Sequence, residues 1–231
     1  MKDVPLTVAV IPAYNEEKRI AQAVQDALRY CSAVVVADDC STDRTGQAAY
    51  AAGAYVLRHV INRGQGAALQ TATDFAIRNL GADIIVHFDG DGQMEGADIP
   101  SMIDPLLKDE ADIVLGSRFL GKDAQNMPFT RKLTLAGGRL FTLLVSGIRL
   151  TDTHNGFRAL TKDAAKKLRI SLDRAAHASE ILDLIPTRRL RVVERPVTIQ
   201  YNDEVLKKGQ SARPGASLTI MKDVIKKRLL G

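Results

Sequence analysis

Asp89 and Asp91 follow the apolar run Ile84-Ile85-Val86-His87-Phe88, with Gly90 between them and Gly92 after. Two carboxylates at that spacing at the end of a buried strand can both reach one hard divalent cation, and the glycines let a diphosphate approach the backbone. A cation there would neutralise a leaving diphosphate as a Lewis acid. Asp-x-Asp is also a common turn sequence, so the strand-end position carries the reading. Three other apolar runs end in comparable polar segments. Pro12-Ala13-Tyr14-Asn15-Glu16-Glu17 sets a ring and carboxylates where a nucleobase could stack and hydrogen-bond, or forms a plain capped turn. Asp38-Asp39-Cys40-Ser41-Thr42-Asp43 has two adjacent carboxylates, costly to bury without donors or cations, while Ser41 and Asp43 also suit capping. Asn62-Arg63-Gly64-Gln65-Gly66 is a glycine-rich turn opening a helix, matching neither GxGxxG nor a Walker A loop.

The elements that must position these residues follow from periodicity. Short β-branched runs alternate with amphipathic stretches, the pattern of βαβ units around a mostly parallel sheet flanked by helices. Strands are predicted over Leu6 to Ile11, where Pro12 ends the run, and over Ala33 to Ala37, Ala54 to Val60, Ile84 to Phe88 and Asp112 to Leu115. Helices are predicted over Lys18 to Tyr30, over Arg44 to Ala52 with Asp43 as N-cap, and over Gln65 to Leu80 before Gly81. In open α/β sheets ligands bind outside the carboxyl ends of strands, where all four polar segments fall. Beyond Arg118 the rhythm changes: a loop, a helix over Arg131 to Val145, a strand over Gly156 to Leu160, and strand-like Arg191 to Val193 and Val197 to Tyr201. A last helix-like stretch covers Ala216 to Leu230. One domain with two functional halves, 1–117 and 118–231, is expected.

The 231 residues are 45% hydrophobic and 26% charged, which excludes a disordered or fibrous chain. Net charge is +5, but residues 186–231 alone carry +7, so the preceding body is slightly acidic. That body and only eleven aromatic residues argue against a nucleic-acid binder. Cys31 and Cys40 have neither zinc nor redox-dithiol spacing. The apolar stretch Leu140 to Ile148 falls well short of the about 20 residues needed to span a bilayer, and Met1 to Pro5 has no signal-like run. A cytoplasmic, soluble or peripheral protein is expected.

Taken in order, Pro12-Ala13-Tyr14-Asn15-Glu16, Asp38-Asp39-x-Ser41-x-Asp43, Asn62-x-Gly64-x-Gly66, Asp89-x-Asp91-x-Gln93 and Gly116-Ser117-Arg118 resemble family 2 glycosyltransferases of GT-A fold. Asp152-Thr153-His154-Asn155-Gly156-Phe157-Arg158 and Lys208-Gly209-Gln210-Ser211 resemble more narrowly the dolichyl-phosphate mannose synthase-like branch, which glycosylates polyprenyl phosphates. The resemblance implies a nucleoside held by Pro12, Tyr14, Glu16 and Asp39, and a Mg or Mn ion at Asp89 and Asp91 with Gln93 beside it. It implies cations near the donor and acceptor phosphates at Arg118 and Arg131, with Lys208 and Ser211 on the acceptor side. Asp152 matches the acidic position nearest the reacting centre, and Arg158 either meets a phosphate or orients that acid from behind. Gln65 stands where many relatives have Lys. Glu180 reads as a solvated helix charge, and packing or solvent is the default for each histidine.

The expected activity is inverting transfer of a sugar from a UDP- or GDP-linked donor to undecaprenyl or dolichyl phosphate, with the basic tail docking on an anionic membrane surface. A phosphate monoester is mostly dianionic at neutral pH and already nucleophilic, so Asp152 is expected to position rather than deprotonate the acceptor. A soluble glycan or protein acceptor is the alternative within the family. A sugar-nucleotide pyrophosphorylase would need a Gly-, Arg- and Lys-containing loop where Pro12-Ala13-Tyr14-Asn15 stands. A catalytically silent scaffold is disfavoured by the intact acidic set.

Overall fold

Seven strands form one sheet in the computed structural model, which describes residues 4–120, 150–152, 155–172 and 177–200. In chain order the strands are β1 (Thr7–Ala13), β2 (Ala33–Asp38), β3 (Tyr55–Arg58), β4 (Ile84–His87), β5 (Ile113–Ser117), β6 (Arg158–Thr161) and β7 (Val192–Pro196). Across the sheet they run β3-β2-β1-β4-β6-β5-β7. All pairings are parallel except those of β6, which lies antiparallel between β4 and β5.

Helices α1 (Ile20–Leu28), α2 (Thr45–Ala51), α3 (Gln65–Arg78), α4 (Ile99–Leu107), α5 (Lys162–Lys167) and α6 (His177–Thr187) cover both faces. The near-continuous apolar runs require this, because alternate residues of one strand point to opposite faces. Ala9 and Ile11 pack with Ile20, Val24, Ile99 and Met102 on one side; Val8 and Val10 pack with Ala68, Ala72, Ile181 and Ile185 on the other. Each fully buried Val or Ile contributes about 1.5–3 kcal/mol relative to exposure.

Several boundaries differ from expectation. β1 continues through Pro12 to Ala13. The Val10 carbonyl accepts from Phe88 N–H on the β4 side, and the Ala13 carbonyl accepts from Asp39 N–H on the β2 side. Residue 12 shares the orientation of residue 10, so its missing N–H faces a side where β4 pairing has already stopped at Val10–His87. β3 ends at Arg58 rather than Val60. Helix α2 begins at Thr45, whose N–H donates to Asp43 Oδ1 at 2.9 Å, so Asp43 caps from one residue further out than predicted. Val197 to Tyr201 is not a continuous strand: Val197–Gln200 contribute one bridge, Met94–Ile199, and Tyr201 lies outside the described residues. The helices predicted over 131–145 and 216–230 also lie outside them.

Candidate active site

The carboxyl ends of β1, β2 and β4 and the amino end of α3 enclose a cavity of about 510 Å³. Pro12, Tyr14, Glu16, Asp39, Asp89 and Asp91 line it, together with Asn62, Gly64, Gln65 and Gly90. Six side chains singled out from sequence thus share one concavity.

Its walls are tied together by the loops. Asn15 N–H donates to Ser41 Oγ at 3.0 Å, Thr42 N–H to Asn15 Oδ1 at 2.9 Å, and Glu16 N–H to Thr45 Oγ1 at 2.8 Å. The side chain of Glu16 pairs with Arg19 at 2.7 Å, while Tyr14 stays half-exposed at the rim. The two adjacent aspartates at the end of β2, Asp38 and the following Asp39, both meet donors, as buried carboxylates must. Asp38 Oδ1 accepts from Ser41 N–H at 2.9 Å. Asp39 accepts from Arg63 N–H at 3.0 Å and Gly64 N–H at 2.6 Å, and Oδ1 lies 2.7 Å from His59 Nδ1. Burial works against its ionisation, but these three partners outweigh burial and hold its pKa below the usual carboxylate value. Gly64 can present its N–H because its φ of 94° lies in the region that disfavours side chains. His59 is therefore not a packing residue: it bridges Asp39 and Thr71 Oγ1, 3.0 Å from Nε2. That role was invisible in sequence because β2 and the end of β3 meet only in the folded sheet.

Asp89 and Asp91 leave β4 together. Burial, then the charge of Asp91, push the Asp89 carboxyl up to about 6, against the opposing pull of Arg158 and a hydrogen bond from Gln65. Gln65 Nε2 donates to Asp89 Oδ1 at 3.2 Å, which gives the residue a partner where a lysine would bring a charge. Gln93 clamps Asp91 with its backbone N–H and its side-chain amide, and is not among the cavity-lining residues. A Cβ on Gly156 would stand 2.8 Å from Asp89 Oδ2, so glycine there lets the second half of the chain close on the acidic pair. Among the described residues no group of three His, Cys, Asp or Glu side chains forms a cage. Two mutually repelling carboxylates without a third fit a Mg or Mn ion completed by water and substrate phosphate.

A second cluster adjoins the first. Arg118, just after β5, grips Asp152 with both arms: Nε to Oδ2 at 2.7 Å and Nη2 to Oδ1 at 2.8 Å. The Asp152 side chain is fully buried. Glu194 on β7 accepts from the N–H groups of Thr151 and Asp152 and from the Thr151 hydroxyl, and Ser117 Oγ lies 2.6 Å from that hydroxyl. Glu194 was not predicted; nothing local marks it, since its partners lie about 40 residues away in sequence. Arg158 opens β6 and is 2% exposed, with Nη1 lacking a hydrogen-bond partner among the described residues. Burial pulls its pKa down to about 10 against the attraction of Asp89 and Asp152, so its charge sits between the two acidic clusters. His87, its register partner on β4, is held neutral first by burial and then by the positive charge of Arg158. Glu180 is buried, not solvated, and accepts from Ser171 and Leu172 N–H groups. Arg131, Lys208, Ser211 and His154 lie outside the described residues.

The chain is 31% identical over 91% of its length to a UDP-N-acetylglucosamine–dolichyl-phosphate N-acetylglucosaminyltransferase of Methanococcus voltae, covering 92% of that protein. It is 29% identical over 83% of its length to an undecaprenyl-phosphate mannosyltransferase of Micrococcus luteus, covering 82% of it. Among solved structures, glucosyl-3-phosphoglycerate synthase of Mycobacterium tuberculosis, bound to Mn2+, UDP and phosphoglyceric acid, superposes with a TM-score of 0.68 at 18% identity, over 88% of this chain and 73% of that one. This likeness confirms the GT-A fold: a mostly parallel sheet with helices on both faces. The sequence model of glycosyl transferase family 2 matches residues 8–169, from β1 past α5 and through every acidic residue of both clusters except Glu194, and to that family the chain belongs.

Proposed function

We propose that this protein transfers a hexose, with inversion, from a nucleoside diphosphate sugar to the phosphate of a polyprenyl lipid. The carrying observation is the pair of adjoining clusters: a cavity ending in Asp89 and Asp91, and beside it the buried Arg118–Asp152 pair. Relatives named for dolichyl and undecaprenyl phosphate acceptors support the lipid assignment.

Pro12, Tyr14 and Asp39 receive the nucleoside, and Asp89 and Asp91 hold a divalent cation that neutralises the departing diphosphate. Solved neighbours contain Mn2+ or Mg2+ with UDP. Asp152 positions rather than deprotonates. Both its oxygens are engaged by Arg118, and a phosphate acceptor with a second pKa near 6 needs no strong base at neutral pH. Arg118, with its side chain 18% exposed, faces the incoming phosphates while anchored by Asp152.

Incubation of the protein with UDP- and GDP-sugars, undecaprenyl or dolichyl phosphate, and Mg or Mn tests the proposal. A lipid-linked sugar is the expected product. Turnover with 3-phosphoglycerate or a soluble glycan alone would overturn the lipid assignment.

The site of action is proposed to be the cytoplasmic membrane face, reached peripherally. Among the described residues no helix is long and apolar enough to cross a membrane.

A further inference from the structure

The acceptor capacity of Asp39 distinguishes between donor bases. Its side chain is 4% exposed and lines the cavity. A carboxylate offers about four acceptor positions, two on each oxygen. Oδ1 meets His59 Nδ1 at 2.7 Å and accepts from Arg63 N–H at 3.0 Å, and is full. Oδ2 accepts from Gly64 N–H at 2.6 Å, and keeps one position. His59 is held to this task from its far side, where Nε2 lies 3.0 Å from Thr71 Oγ1.

Resting on the nucleotide-sugar reading above, we infer that the donor base is a pyrimidine imide, uracil or thymine, and not guanine, with His59 as the specificity-determining residue. An imide presents a single N3–H between two carbonyls and needs one acceptor. Guanine presents N1–H and an amino N–H side by side, which a carboxylate satisfies only with one position on each oxygen. Here Oδ1 has none, so a bound guanine would bury an unpaired donor. Cytosine has no imide proton and turns a lone pair toward the carboxylate. The slight exposure of Asp39 points the same way, because a two-oxygen grip needs both oxygens at the surface.

Calorimetric titration of the full chain with UDP, dTDP, GDP and CDP in the presence of Mn2+ tests this. Affinity for UDP or dTDP at least about tenfold above GDP and CDP is expected, and the first two arms separate uracil from thymine. GDP or CDP binding as tightly as UDP would overturn the base assignment while leaving the nucleotide site standing. Failure of all four to bind would overturn both. The His59→Ala variant vacates a position on Oδ1, so its UDP-to-GDP preference should narrow at least about fivefold; His59→Asn, which keeps a donor near Nδ1, should retain it. Equal weakening of UDP and GDP in His59→Ala, with His59→Asn no different, would reduce His59 to a structural part and overturn its role.

Discussion

Asp89 shows how a single residue can be tuned against stability. Its carboxyl is raised to about 6 by burial and by Asp91, above the roughly 4 of an unfolded chain. The native state therefore binds this proton more tightly, and without metal the contribution of Asp89 to stability declines as pH rises from about 4 to 6. Asp89→Asn should be about 1 kcal/mol more stable than the parent at pH 7 in chelator, allowing for partial exposure, and should lose about 100-fold or more in transfer rate. Thermal melts at pH 4.5 and 7 and initial rates check both halves; a variant less stable at pH 7 would refute the electrostatic account. Protons should also compete with the cation, so Mn2+ affinity should weaken as pH falls below about 6. Glu194 acts at one remove. Glu194→Ala takes the acceptor from two N–H groups and a hydroxyl around Asp152, and should lower kcat about 10–100-fold with nucleotide affinity unchanged. That Asp39, Asp89 and Asp91 share one cavity could be expected from spacing because they end apolar runs. His59 and Glu194 could not, because each matters only through residues brought to it by the sheet.

At the scale of elements, the strands could be read because Val, Ile and Ala fill them on both faces. Their order could not. Nothing in Arg158-Ala159-Leu160-Thr161 states that it will enter between β4 and β5 in the opposite sense. Helix α4 escaped periodicity because Pro100 and Pro105 interrupt the signal, although Ile99, Met102 and Leu106 still bury one face. The turn before β6 carries an element-scale prediction. Gly156→Ala would push a methyl against Asp89 Oδ2, so the loop or the acid must shift; a loss of about 1–3 kcal/mol in stability and a weaker Mn2+ affinity are expected by melting and titration. Unchanged metal affinity would show that the two halves of the site are not in register at this point.

For the molecule as a whole, charge and shape divide labour. Seven strands and their helices hold the acidic clusters, and the body through residue 185 is slightly negative. The excess of basic residues follows Pro186, in a chain proposed to meet an anionic lipid. Each basic residue near such a surface is worth about 1 kcal/mol. Removal of residues 216–231 should therefore reduce co-sedimentation with anionic vesicles at low salt, while UDP binding in solution persists; unchanged co-sedimentation would leave the tail without a docking role. The antiparallel entry of β6 has a further consequence, for the order in which the chain is made. β5 pairs as a strand only with β6 and β7, so when a ribosome has released residues up to 117 it has no strand partner and β4 still presents an open edge. The nascent chain must wait for residues 158–196 before its sheet can seal. A fragment ending at 117, though it holds the residues that line the cavity, should stay insoluble unless supplied with the remainder.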